Sequence, residues 1–219
     1  MQPAHLLLDD SVDPAVRGLL HTPENPSGDA LILAHGAGAD CNAPLLIALS
    51  EKFADSGYLV LRVDLPFRQK KPNGPPFGHA ENDRAGLRNA VSVMRQRAAG
   101  RIFLGGHSYG GRQSSMLCAA EPELAAGLLL LSYPLHPPRK PEQMRTQHFP
   151  QLRTHSLFVH GTRDPFGAFD EMEEALRLIP AKTHLLTIDR AGHDLGFKGK
   201  ASAQELPGRV LDAFQEFVL

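Results

Sequence analysis

Residues 102–111 read IFLGGHSYGG, an apolar run followed by four glycines arranged around one serine. Gly106 and Gly110 flank Ser108 in a Gly-x-Ser-x-Gly pattern, which follows a strand predicted at Ile102–Leu104 and precedes a segment of helical character. A serine in such a turn has a strained backbone conformation, and side chains at the two flanking glycine positions would collide with neighbouring chain. The pattern therefore predicts a sharp turn that presents the Ser108 hydroxyl at the end of a strand.

Apolar runs alternate with segments of helical periodicity along the whole chain. Continuous apolar runs are typical of strands that helices cover on both faces. They predict strands at Ala30–Ala34, Leu59–Val63, Ile102–Leu104, Leu128–Leu131, Leu157–Val159 and Leu185–Ile188, after an early antiparallel strand at Val16–Leu20. Helical stripes run through Leu87–Ala98, Phe169–Ile179 and Leu206–Phe217. This alternation predicts one α/β domain over residues 1–219, with a mostly parallel, doubly wound sheet of about seven strands flanked by helices.

Two segments break this rhythm, and both directly follow predicted strands. Pro66–Gly78 is rich in proline, glycine and basic residues, and Tyr133–Pro150 has many prolines and no clear periodicity. Ligand-binding loops gather at the carboxyl ends of parallel strands, so both segments are candidate walls of a pocket. The second segment is too short to form a separate lid domain.

Composition and charge exclude several classes of protein. Hydrophobic residues make up 42% of the chain and charged residues 21%, as in ordinary globular proteins. The net charge of −1 offers no positive excess for phosphate backbones, so we expect no nucleic-acid partner. No apolar run approaches the roughly 20 residues that span a bilayer, and the amino terminus lacks a signal-peptide pattern. We expect a cytoplasmic protein with no membrane partner.

The two cysteines, Cys41 and Cys118, are too few for a disulfide framework and lack the spacing of metal ligands. We expect a buried or half-buried free thiol at each position and no metal site.

A serine hydroxyl becomes a good nucleophile only when a neighbouring base accepts its proton, and imidazole suits this role near neutral pH. Among the 11 histidines, His193 follows the last predicted strand and stands beside a glycine, in a loop that can aim its ring at Ser108. His107 adjoins the nucleophile, and that adjacency turns its side chain elsewhere. His35 and His160 each end a strand before a glycine, which favours a structural role.

The base needs an acid that orients its ring. Asp164 lies just beyond the strand at Leu157–Val159, and the order Ser108, Asp164, His193 is the one expected for a nucleophile in this kind of turn. Asp194 and Asp64 are the alternative acids. Asp194 adjoins His193, which makes it poorly placed to orient the ring, and Asp64 ends the strand at Leu59–Val63.

Acyl transfer also requires two backbone donors for the oxyanion. We expect the N–H of Tyr109 to be one of them. The other should come from the glycine-rich loop His35–Asp40, where Ala37 is favoured and Gly38 comes next. Candidate substrate contacts are Gly38, Phe67 and Phe166. Five basic residues either favour an acidic substrate or are solvated loop residues: Arg68, Lys70, Lys71, Arg139 and Lys140.

These motifs together resemble the α/β-hydrolase superfamily over nearly the whole chain. The resemblance is carried by His35-Gly36, Gly106–Gly110, Gly161–Asp164 and Gly192-His193. The lidless architecture, with Tyr133–Pro138 and Arg163–Gly167, resembles the dienelactone-hydrolase-like branch and its bacterial subgroup related to the testis-expressed-protein-30 group. The resemblance implies a hydrolase for carboxylic esters or related acyl compounds. Dienelactone hydrolases have a cysteine nucleophile where this chain has Ser108, so their substrate is not carried over.

Two hypotheses follow. The first is a serine hydrolase that acts on a small-molecule acyl substrate and needs no cofactor. The second is a non-catalytic interaction protein that retains the fold and uses its proline-rich segments as docking surfaces. A fluorophosphonate probe discriminates between them, because it labels only an activated serine.

Overall fold

The computed structural model describes residues 3–197 and 200–218. Its strands are β1 (His5–Asp9), β2 (Val16–His21), β3 (Ala30–Ala34), β4 (Leu59–Val63), β5 (Ile102–His107), β6 (Gly127–Leu131), β7 (Ser156–Gly161) and β8 (Thr183–Ile188). Its helices are α1 (Pro44–Asp55), α2 (Pro66–Lys70), α3 (Ala80–Arg95), α4 (Tyr109–Ala120), α5 (Phe169–Leu176) and α6 (Lys200–Val218), and a 3-10 turn covers Phe149–Gln151.

All eight strands form one sheet in the order β1-β2-β4-β3-β5-β6-β7-β8. The pairs β1–β2 and β2–β4 are antiparallel, and every other pair is parallel. The carboxyl ends of β3, β5, β7 and β8 therefore face one edge of the sheet, where the loops that carry His35, Ser108, Asp164 and His193 emerge. The prediction of a mostly parallel α/β sheet is confirmed, and the described residues form no separate lid domain.

Helices cover both faces of the sheet, and β3 shows why its sequence is apolar throughout. Ala30, Ile32 and Ala34 pack into the core on one face, whereas Leu31 and Leu33 pack into the core on the other. Each face of a central strand is thus buried, as the continuous apolar run predicts.

The structure adds one strand to the predicted seven and a helix to one predicted loop. In β1, Leu7 is buried while Leu6 and Leu8 are exposed, because the strand lies at the edge of the sheet. Three consecutive leucines conceal this alternation in the sequence.

The segment predicted as irregular at Pro66–Gly78 begins with α2, whose first residue is a proline, a residue that fits the first turn of a helix.

None of the described helices combines the length and the apolar character needed to cross a membrane.

Replacing Gly106 by alanine should destabilise the fold. Its φ of 151° disfavours an L side chain, and a Cβ there would lie 2.2 Å from the carbonyl oxygen of Ala34 in β3. We expect the free energy of unfolding to fall by more than about 3 kcal/mol, measured by urea denaturation. Gly38→Ala is the matched control, since a Cβ at Gly38 meets nothing within 4 Å, and it should change stability by less than about 0.5 kcal/mol. Equal stabilities of the two variants would contradict this interpretation.

Candidate active site

Close backbone packing produces the turn that holds Ser108. A Cβ on Gly110 would lie 2.6 Å from the carbonyl oxygens of both Ala34 and His35, so only glycine lets α4 approach the end of β3 this closely. Ser108 itself has φ 51° and ψ −113°, a conformation that L residues rarely adopt. The strain predicted for this serine is therefore present, and its side chain stands between the end of β5 and the start of α4.

The structure brings the three predicted triad residues together. His193 Nε2 lies 2.8 Å from Ser108 Oγ, and His193 Nδ1 lies 2.8 Å from Asp164 Oδ2. The Asp164 side chain is fully buried, whereas 23% of the His193 side chain is exposed. A continuous chain of hydrogen bonds thus runs from a buried carboxyl group to the hydroxyl of a half-buried serine.

Neighbouring groups fix the acid and the base. The backbone N–H of Phe166 donates to Asp164 Oδ1 at 2.9 Å, which leaves Oδ2 for the imidazole. The Phe166 ring packs against the imidazole of His193, with centroids 4.2 Å apart and planes tilted by 33°. Phe166, predicted as a substrate contact, therefore also covers one face of the His193 ring.

His107 holds the loop that carries the base. Its Nε2 lies 2.8 Å from the carbonyl oxygen of His193, and burial lowers the pKa of its imidazole, which favours the neutral ring with Nε2–H donating. The His107 ring therefore contacts the His193 backbone, and among the described residues it makes no hydrogen bond to the Ser108 hydroxyl.

The other histidines considered make backbone contacts. Leu65 N–H donates to Nε2 of His35, whose Nδ1 lies 2.8 Å from the Gly36 carbonyl oxygen. His160 Nε2 lies 2.8 Å from the carbonyl oxygen of Gly167. Both rings are buried, and their hydrogen bonds connect the loops at the carboxyl edge of the sheet.

Neither alternative acid contacts the base. Asp64 accepts a hydrogen bond from the Cys41 N–H, and Asp194 accepts one from the Gly196 N–H. Both cysteines are buried free thiols, and burial raises the pKa of each to about 12.

The loop after β3 supplies unpaired N–H groups near the serine. Ala39 N–H donates to the Gly36 carbonyl oxygen and closes a turn, while the N–H groups of Ala37 and Gly38 have no hydrogen-bond acceptor among the described residues. Gly36 lies against the nucleophile turn, since a Cβ there would be 3.7 Å from Ser108 Cβ. Tyr109 begins α4, where a backbone N–H has no acceptor within the helix.

Arg68 holds the loop after β3 through hydrogen bonds to its backbone. It is 5% exposed and donates through Nε to the Ala39 carbonyl oxygen and through Nη2 to the Ala37 carbonyl oxygen, each at 2.8 Å. Further hydrogen bonds reach the carbonyl oxygens of Lys71 and Gly74. The suggestion that Arg68 contacts an acidic substrate is therefore wrong, because its guanidinium group donates to backbone carbonyl oxygens.

Asp83 was missed by the sequence analysis. It is 2% exposed, accepts the Tyr109 hydroxyl at 2.7 Å and accepts the Phe67 N–H at 3.1 Å. Asp83 lies four residues before Leu87, on the buried stripe of α3, and an acid on an apolar stripe is the signal that could have revealed it. Phe67 is 3% exposed and meets the Tyr109 ring edge-on at 5.7 Å, so it supports the nucleophile turn.

Two clefts lie near this site, one lined by sequence neighbours of Ser108 and His193 and the other by residues that contact Tyr109. One, of about 600 Å³, is lined partly by Gly38, His107 and Asp194. The other, of about 290 Å³, is lined partly by Phe67 and Asp83. Two of the predicted substrate contacts, Gly38 and Phe67, therefore border open space, one in each cleft. No group of side chains able to hold a metal ion occurs among the residues that the structure describes.

Comparison with known families identifies the family of this chain. Residues 27–218 match the family model described as "Alpha/beta hydrolase domain". The chain belongs to this family. The match covers most of the chain and includes all three residues of the hydrogen-bonded chain, and membership supports hydrolase activity.

Solved structures share the α/β-hydrolase fold over almost the full chain. Dienelactone hydrolase from Anabaena variabilis superposes with a TM-score of 0.80 and 19% identity, over 99% of both chains. TT1662 from Thermus thermophilus gives 0.73 and 24% identity, over 100% of this chain and 98% of that one. XC6422 from Xanthomonas campestris, described as an α/β serine hydrolase without lid, gives 0.71 and 14%, over 99% and 95%. The expected membership of the α/β-hydrolase superfamily is confirmed by the family match. At these identities the likeness to dienelactone hydrolase and the other solved structures shows the fold alone.

Removing the Tyr109 hydroxyl should destabilise this α/β-hydrolase domain, because the buried Asp83 then loses one of its two donors. We expect Tyr109→Phe to lower the free energy of unfolding by about 1–2 kcal/mol in urea denaturation. In a double-mutant cycle with Asp83→Asn, the two losses should be coupled by at least about 0.5 kcal/mol. Strictly additive losses would show that the hydroxyl and the carboxyl group act independently.

Proposed function

We propose that this protein is a serine hydrolase that cleaves a carboxylic ester, or a related small acyl compound, through an acyl-enzyme. The observation that carries the proposal is the hydrogen-bonded chain Ser108–His193–Asp164, with both links at 2.8 Å. The proposed reaction needs no cofactor.

In the first step the Ser108 hydroxyl attacks the substrate carbonyl carbon while His193 Nε2 takes its proton. Asp164 accepts the Nδ1–H of His193, which leaves Nε2 unprotonated before the attack and stabilises the imidazolium after it. Burial of Asp164 and the Phe166 N–H bond at Oδ1 keep the carboxylate aimed at the ring.

The negative charge that develops on the carbonyl oxygen requires donors that are already in position. We assign these to the N–H of Tyr109, at the amino end of α4, and the N–H of Ala37, with Gly38 as the adjacent alternative. The unpaired state of these loop N–H groups supports the assignment. The α4 dipole adds positive potential at the same place.

Collapse of the tetrahedral intermediate breaks the bond to the leaving group, which takes the proton from His193 Nε2. Water then enters, gives a proton to the same nitrogen and attacks the acyl-enzyme, and the second collapse returns the proton to Ser108 Oγ. The acid product and the leaving alcohol or amine account for all atoms of substrate and water.

Ser108→Ala should abolish hydrolysis of a short p-nitrophenyl ester and labelling by a fluorophosphonate probe, while circular dichroism stays unchanged. The matched control is Ser114→Ala, which removes a buried hydroxyl of the same helix that bonds the Gly110 carbonyl oxygen. This control should keep its labelling. A wild-type protein that resists the probe would favour the non-catalytic interaction protein instead.

Arg68→Lys should lower kcat at least about tenfold with little change in KM, because one ammonium group cannot replace the fork that holds the Ala37 and Ala39 carbonyl oxygens. Arg95 offers a matched control. It also donates to two backbone carbonyl oxygens, those of Glu123 and Leu124, but stands at the far end of α3. Arg95→Lys should leave kcat unchanged. A kcat within twofold of wild type in folded Arg68→Lys would remove Arg68 from this positioning role.

A further inference from the structure

The larger of the two clefts, which His107 and Asp194 border, has mostly apolar walls. It holds about 600 Å³ between the start of α1 and the loop that follows His193. Most of its lining is apolar, from Ala39, Ala43, Pro44, Leu45, Leu46 and Phe197. Leu45 and Leu46 belong to a buried core on this face of the sheet, so the floor of the cleft is a rigid part of the fold.

Residues next in sequence to three of the proposed catalytic groups line this cleft. Gly38 follows Ala37 in the loop with unpaired N–H groups, His107 precedes Ser108, and Asp194 follows His193. These three positions place the cleft next to the residues that would hold the ester carbonyl.

The residues that line the cleft determine which kind of substrate group fits it. Apolar area removed from water is the main source of binding free energy in such a site, and these walls offer few polar partners to a hydrophilic group. Burial lowers the pKa of His107, which keeps its ring neutral, and Asp194 is the one acid among the described residues that line the cleft. The lining thus suits an uncharged aliphatic or aromatic group.

We propose that this cleft is the substrate subsite for an uncharged apolar chain or ring, so that the protein prefers esters with a medium-sized apolar arm over acetates. The proposal rests on the serine hydrolase function proposed above. The cavity size is within the range of small-molecule sites and leaves room for several methylene groups beyond the ester.

The position of Ala43 allows the cleft to be closed by one substitution. Ala43 precedes α1, lines the cleft and is only half-buried, so Ala43→Phe should direct its ring into the open space. Ala99→Phe is the matched control. Ala99 lines a separate cavity of about 510 Å³ beside Gly28 and Asp29, near the amino end of β3 and far from Ser108.

The test compares kcat/KM over two ester series. In one, the acyl chain of p-nitrophenyl esters grows from acetate to octanoate, and in the other the alcohol of alkyl acetates grows from methyl to octyl. In at least one series, wild type should favour the longer members, and Ala43→Phe should cut their kcat/KM at least about tenfold while the shortest member stays within threefold. Ala99→Phe should reproduce the wild-type profile.

Fluorophosphonate labelling of Ser108 in each variant separates failure of the subsite from failure of the chemistry. If wild type and Ala43→Phe label equally and their chain-length profiles coincide in both series, the subsite is overturned while the hydrolase survives. If wild type does not label, both proposals fall. A loss of labelling in Ala43→Phe alone would indicate that the bulky ring damages the turn at Ser108. The smaller Ala43→Leu then provides the test, and we expect it to shift the chain-length profile in the same direction. An unchanged profile in Ala43→Leu would overturn the subsite.

Discussion

The close approach of α4 to the end of β3 is the constraint on which the active site depends. Backbone atoms of Ala34 and His35 occupy the space where side chains at Gly106 and Gly110 would lie, so the chain turns from strand to helix with no room for a Cβ at either place. The turn leaves Ser108 at a positive φ and aligns the first N–H groups of α4 beside it. The same contact brings the loop after β3, with its unpaired N–H groups, next to the serine. One backbone contact therefore places the proposed nucleophile beside the proposed oxyanion donors.

Buried polar side chains hold the surrounding loops, and each joins segments that are distant in sequence. Arg68 of α2 binds carbonyl oxygens of the loop after β3, and Asp83 of α3 binds both Tyr109 and the backbone at Phe67. Burying a charged or polar group is costly unless its hydrogen bonds are satisfied, so these contacts restrict the loops to one arrangement. This explains how a site made almost entirely of loops can be pre-organised without a lid domain.

Sequence reasoning predicts the site best where the functional residues follow the ends of strands. The apolar runs of the central strands predicted the sheet, and residues that directly follow them, such as Ser108 and Asp164, were correctly brought together with His193. Sequence reasoning is weaker where a side chain binds backbone atoms that are distant in sequence. Arg68 stands in a basic run that suggests solvent or substrate contact, and no local spacing indicates that its partners lie some 30 positions earlier in the chain. The edge strand β1 was missed because its half-exposed leucines resemble a continuous apolar run.

The base is held in a different way from the nucleophile. Ser108 is fixed by backbone crowding, but His193 lies in a loop whose own glycine, Gly192, has open space around it. The imidazole is therefore oriented by contacts: Asp164 at Nδ1, the Phe166 ring on one face and His107 at the backbone oxygen. Two contacts hold the ring itself and one holds its backbone, and none of them uses Nε2. In the proposed reaction that nitrogen stays available for the serine, the leaving group and water in turn, as a base that acts in both half-reactions requires.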